Sequence, residues 1–230
     1  MGCTLVYAFN THCHADHVTG TGRLKEHAPH VRSCIARAAG AKADILLEDR
    51  QTVHWANGTR SLTVLATPGH TKGCISYHDA DMNLVCTGDA LLIDGCGRYV
   101  SAILVVGAPW LAVLVILAAL DAHSSTERWW LSSRGACRAR STDFQEGDAA
   151  TLYESVHGRL FTLPAETIVL PAHDYKGRSF STIGAQRASN PRLTKTKAEF
   201  AELMTNLKLA YPKKLDSAVP ANLQCGVFGV

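Results

Sequence analysis

The sequence predicts an α/β fold built on an open sheet system, and three observations carry that reading. Short apolar runs at residues 5–8, 62–66, 84–86 and 168–170 each lead within a few positions into a histidine or an aspartate. Helical periodicity is clearest late in the chain. The composition, 47% hydrophobic and 19% charged over 230 residues, is enough for one sizeable core, or for one domain with an appendage.

The first run is read as a buried strand that ends in Asn10, Thr11 and a cluster of histidines. The second precedes Thr67-Pro68-Gly69-His70, the third Thr87-Gly88-Asp89 and the fourth Pro171-Ala172-His173. Open sheets place their sites on the loops at strand ends, so ligands far apart in sequence are expected to converge along one edge. Asp148 is placed to cap a helix whose Leu152, Val156 and Leu160 recur at four-residue steps. Thr196 and Glu199 have capping-box spacing ahead of Phe200, Leu203 and Leu207, with Pro212 beyond.

Thr11-His12-Cys13-His14-Ala15-Asp16-His17 packs three imidazoles and a carboxylate into one loop, followed by Gly20 and Gly22, which let the chain turn closely. Histidines two apart can approach one ion while the next Asp-His pair faces another, and such ligands suit zinc, iron or manganese. So many ionisable groups behind a buried strand would be costly without a purpose.

Charge excludes little but points away from nucleic acid, because Lys and Arg outnumber Asp and Glu only 23 to 20 and form no long run. The expected partner is a small molecule. Eight cysteines, Cys3, Cys13, Cys34, Cys74, Cys86, Cys96, Cys137 and Cys225, include no C-x-x-C pair, which fits reduced thiols better than a disulfide scaffold or a zinc knuckle. No secretory or Arg-rich leader is visible at the N-terminus, so a cytoplasmic location stays open.

The strings T-H-C-H-A-D-H, T-P-G-H-T, C-T-G-D-A-L and P-A-H-D-Y, in this order, resemble the metallo-β-lactamase superfamily. Gly95-Cys96-Gly97-Arg98 and Thr142-Asp143-Phe144-Gln145 narrow the resemblance to its persulfide dioxygenase branch, of the ethylmalonic encephalopathy protein type, with glyoxalase II related. The resemblance implies a four-layer αββα sandwich and a metal region of His12, His14, Asp16, His17, His70, Asp89 and His173. In the dioxygenase branch it implies one Fe(2+) per chain on His12, His70 and Asp89, a facial triad with three open positions for O₂ and a sulfur substrate. His14, Asp16, His17 and His173 then orient the ligands or hold a second metal, as in the binuclear or Zn(2+) alternative of a thioester hydrolase. Arg98 and Tyr175 are implied to bind glutathione persulfide, since arginine's planar fork suits a carboxylate. A homodimer and a mitochondrial matrix location are further implications.

Two departures from the family are expected to matter. Family members carry a stretch before the histidine string that holds an organelle leader and the first strands, so this chain is read as N-terminally truncated, with an unpaired sheet edge. Residues 99–141 interrupt the match between Arg98 and Thr142 with an uncharged apolar run followed by an Arg/Ser-rich stretch. The implied organisation is a metallo-β-lactamase-like domain at 1–98 and 142–175, the insertion at 99–141, and a C-terminal helical region at 176–230. Residues 99–120 are long enough to span a bilayer, although Pro109 interrupts them and the membrane is the lesser reading. A helix or irregular hairpin outside the sandwich is expected there. A catalytically silent chain is the remaining alternative, since neither departure touches the seven ligands.

Overall fold

The computed structural model describes residues 3–97, 114–119, 147–174, 176–207 and 214–227. Two sheets face each other. The smaller contains β1 (Cys3–Phe9), β2 (Arg32–Ala36), β3 (Ile45–Leu47) and β8 (Leu114–Ala119), in the order β3-β2-β1-β8. The larger contains β4 (Thr52–Trp55), β5 (Arg60–Ala66), β6 (Ile75–Asp79), β7 (Leu84–Gly88), β9 (Ile168–Pro171) and β10 (Ser181–Thr182), in the order β10-β9-β7-β6-β5-β4.

The pleat sorts each strand's side chains between two cores. Phe9, Cys34, Leu47, Leu62, Val64, Ile75, Tyr77 and Cys86 pack in one apolar cluster between the sheets. Val85 and Val169, one position out of phase with Cys86 and Leu170, face the opposite way. There they meet α2 (Ala149–Ser155), α3 (Ile183–Ser189) and α4 (Lys197–Asn206) through Leu152, Ile183, Phe200 and Met204. Fully burying a side chain of this kind contributes about 1.5–3 kcal/mol, so the helical layer is held mainly by this face.

Local signals set the helix ends. The Asp148 carboxylate accepts the Thr151 N–H at 2.7 Å, and α2 runs on through a wider turn that buries Val156 and Leu160. Thr196 and Glu199 form the reciprocal capping box of α4, which ends at Asn206; Pro212 lies outside the described residues. Residues 181–206 thus add a short strand and two helices to the same layers. The parallel β1–β2 pair is bridged by α1 (Thr21–His27), and Leu223 of α5 (Leu215–Leu223) packs against the same apolar cluster.

One expectation is corrected. Leu114–Ala119 is neither a helix nor a hairpin outside the sandwich but strand β8, antiparallel to β1 from Cys3↔Ala119 to Phe9↔Leu114, with an irregularity between Leu5 and Tyr7. On its other side β1 pairs with β2, so β8 satisfies backbone groups that would otherwise form a bare edge. Val115 and Ile116 give the segment the β-branched character that suits a strand. The rest of residues 99–120 lies outside the described residues, among which no helix is long and apolar enough to cross a membrane.

Candidate metal centre

Strands β5, β7 and β9 run in one direction, since β6 is antiparallel to β5 and β7 and β9 is parallel to β7. Their C-terminal ends carry His70, Asp89 and His173 to one edge, where the loop after β1 brings the histidine string. That loop is tied down at its base. The Ile75 N–H donates to the Thr11 carbonyl at 2.9 Å, and the Tyr77 hydroxyl donates to the Asn10 carbonyl at 2.7 Å. Close packing joins the strand ends: Gly88 has φ +54°, and a Cβ there would stand 2.5 Å from Thr11 Oγ1. Only glycine accepts both that conformation and that approach.

Two groups of potential ligands result. In one, His70 Nε2 lies 3.4 Å and His12 Nε2 4.0 Å from Asp89 Oδ2. The Thr11 hydroxyl, 3.0 Å from His12 Nδ1, occupies the far side of that ring and leaves Nε2 for the centre. In the other, His14, Asp16, His17 and His173 bring one ligand atom each to within 4.8 Å of one another. Asp89 stands between the groups, with its Oδ1 3.7 Å from His173 Nε2.

Burial pushes His12 and His14 well below the usual histidine range, and neighbouring imidazoles add to the effect. Burial also acts to raise the Asp16 carboxyl, but the hydrogen bond from His17 and the surrounding imidazoles outweigh it and hold Asp16 below its usual value. Neutral imidazoles at His12 and His14 and an ionised Asp16 are the protonation states that ligation requires. Both ring nitrogens of His14, Nε2 of His17, Nδ1 of His70 and Oδ1 of Asp89 are buried without a hydrogen-bond partner among the described residues. Buried polar atoms are rarely left so, and a divalent cation would accept lone pairs from those that face the cluster, namely Asp89 Oδ1 and one ring nitrogen each of His14 and His17.

A family model for the metallo-beta-lactamase superfamily matches residues 1–173. The chain belongs to that superfamily. Among its superfamily relatives, the mitochondrial persulfide dioxygenase ETHE1 of Homo sapiens is 41% identical over 227 residues, covering 99% of this chain and 72% of that protein. This places the chain in the persulfide dioxygenase branch. The crystal structure of ETHE1 from Myxococcus xanthus superposes with a TM-score of 0.73 at 36% identity, covering 97% of this chain and 79% of that one. A hydroxyacylglutathione hydrolase of Gloeobacter violaceus is 29% identical over 226 residues, covering 97% of this chain and 68% of the hydrolase.

All seven histidines and aspartates expected at the centre of this metallo-beta-lactamase fold are brought together. Arg98 and Tyr175 lie outside the described residues. Cys96 is buried in the core beneath α2–α4, and among the described residues no disulfide is formed. The sequence marked Gly97 only as part of the Gly95-Cys96-Gly97-Arg98 string, whereas its N–H donates to the Asp89 carbonyl and it packs against His70. Sequence reading missed Arg178, which donates to Asp174 Oδ1 at 3.0 Å and to Asp94, so joining the loops after β9 and β7. Asn222 was missed too, although a polar amide inside the apolar helical stretch of α5 is the kind of signal that marks a buried partner.

Proposed function

We propose that this chain oxidises glutathione persulfide with O₂, using one ferrous ion held by His12, His70 and Asp89. The overall conversion balances as glutathione persulfide, O₂ and water giving glutathione, sulfite and two protons, with O₂ taking the four electrons that the outer sulfur loses. The observation that carries this reading is the separate grouping of two histidines and one carboxylate, His12, His70 and Asp89, in a relative of persulfide dioxygenases. Bound there, ferrous iron would leave positions open to O₂ and to the sulfur substrate and would supply the redox chemistry between them.

The chain's own residues do the rest. Thr11 fixes the His12 ring, and the Gly97 backbone fixes the Asp89 loop. His173 and Asp16, 3.5 Å apart, form a neighbouring acid–base pair that can accept or deliver protons at the edge of the site. Arg98 and Tyr175 are assigned to the glutathione moiety on the family resemblance, and the mitochondrial location of the human and mouse relatives supports a matrix setting.

The placement of Asp89 between the two ligand groups favours a second reading, a binuclear thioester hydrolase of the glyoxalase II kind. Metal analysis of the purified chain, with an oxygen-electrode trace on glutathione persulfide and a hydrolysis assay on S-lactoylglutathione, separates the two. One iron per chain with persulfide-dependent O₂ uptake is expected. Two metals with thioester cleavage would replace the proposal by the second reading, and neither activity in an iron-loaded chain would make it a silent variant.

A further inference from the structure

We infer that the C-terminal helix and the turn after it act as a positioning latch on the metal-ligand loop, with Asn222 as the residue that engages it. Asn222, near the end of α5, is 4% exposed. Its Oδ1 accepts the Thr19 N–H at 2.8 Å. Its Nδ2 donates to the His14 carbonyl and to the His17 carbonyl, each at 2.8 Å. The orientation of the amide is fixed by its partners, because an N–H faces the oxygen and two carbonyls face the nitrogen. One side chain therefore commits both of its N–H donors and its carbonyl oxygen to the stretch that carries His14, Asp16 and His17, from more than 200 residues away.

The turn that follows is pressed against the same stretch. A Cβ at Gly226, where φ is +79°, would lie 2.4 Å from the Thr19 carbonyl oxygen. A Cβ at Gly22 would lie 2.8 Å from the Cys225 carbonyl oxygen. These are backbone-to-backbone approaches that no side-chain adjustment relieves. Inside the loop, Asn10 Oδ1 accepts from the Thr19 hydroxyl at 2.6 Å, and Asn10 Nδ2 donates to Thr21 Oγ1 at 3.0 Å. A second buried asparagine thus holds from the strand side what Asn222 holds from the helix side. The ligand loop has no regular secondary structure to fix it, so the approach of His14 and His17, and of His12 whose ring centroid is 4.0 Å from that of His14, depends on these side-chain bonds.

Asn222 touches no ligand atom; it is a positioning residue that acts through main-chain carbonyls. The inference rests on the proposed metal reading only in supposing that the loop binds an ion, and the test reads the metal-free chain as well. The full chain is compared with Asn222→Ala, Asn222→Asp and Val219→Ala. Asn222→Asp keeps the shape and the acceptor for Thr19 but removes the two donors, and it remains usable if the alanine variant does not fold. Val219→Ala trims a buried side chain of α5 and removes none of the Asn222 hydrogen bonds. In competitive chelator titrations with ferrous iron under anaerobic conditions, both Asn222 variants are expected to bind at least about fivefold more weakly, because the loop that also carries His12 loses its tie, and Val219→Ala within about twofold of the parent. Without metal, amide exchange over residues 13–18 is expected to be at least about tenfold faster in Asn222→Asp than in Val219→Ala at matched Tm. Equal affinity and equal exchange in Asn222→Asp and Val219→Ala would overturn the latch. A parent chain that binds no iron would defeat the metal reading, and the exchange data alone would then decide the latch.

Discussion

Gly97 lies against Asp89 so closely that a Cβ added to it would stand 2.3 Å from the Asp89 carbonyl oxygen and 2.8 Å from the Asp89 Cβ. The same Cβ would be 2.9 Å from the His70 ring. Two of the three ligands in the first group are therefore spaced by the absence of a side chain. Gly97→Ala is expected to displace both, to lower stability by about 1–3 kcal/mol as overpacking does, and to weaken metal binding at least tenfold. Gly95→Ala is the matched control, since a Cβ there meets only Leu92 Cβ at 4.0 Å. Comparable metal content in the two variants would show that this packing does not set the ligand geometry.

The two ligand groups predict different metal stoichiometries on substitution. With one ion at His12, His70 and Asp89, His70→Ala is expected to leave less than about a tenth of the parent's metal, because losing one of three protein ligands opens the site. Asp16→Asn is expected to retain one ion per chain while slowing turnover, since Asp16 lies among His14, His17 and His173 rather than in the triad. Elemental analysis after both substitutions checks this, and a drop from two ions to one in Asp16→Asn would establish a binuclear centre.

What the sequence made legible follows from how local each signal is. Each apolar run followed by a ligand became a strand with the ligand at its end, because burial and a turn toward the edge are written in neighbouring residues, as at Val85, Cys86 and Asp89. Asp148 and Thr196 were equally readable, since a cap and its partner lie three residues apart. Asn222 was not, because its partners lie more than 200 positions away and no local pattern identifies them. Residues 114–119 misled for a related reason. The apolar length suggests a helix or a span, whereas the conformation is set by the side of β1 not taken by β2, which is a property of the assembled sheet.

Alkaline pH should destabilise the fold through its buried thiols. Burial pushes the Cys34, Cys74 and Cys86 thiols up to about 12. In the unfolded chain a thiol ionises near pH 8.5, so above that value the unfolded state releases protons that the folded state keeps, and stability falls as pH rises. At pH 9.5 the loss is about 1.4 kcal/mol for each fully buried thiol. Urea unfolding at pH 7.5 and pH 9.5 is expected to show a clear fall in midpoint, reduced in Cys86→Ala after allowance for that variant's own packing loss. The same thiols should resist iodoacetamide in the native chain at pH 8 and react on denaturation.

The strand at Leu114–Ala119 predicts that its removal is harmful rather than neutral. It pairs with β1 along most of that strand's length, and β1 leads directly into Asn10 and the histidine loop. Deleting residues 114–119 would leave the N–H and C=O groups on one side of β1 without strand partners, an edge that templates association with other chains. The loss should spread to the site, because the Asn10 N–H donates to the Cys34 carbonyl only while β1 and β2 stay in register. The expected outcome is a chain with lower solubility, larger species in size-exclusion chromatography and weaker metal retention than the parent. A soluble deletion variant of unchanged size and metal content would show that β1 does not need β8 to hold the ligand loop.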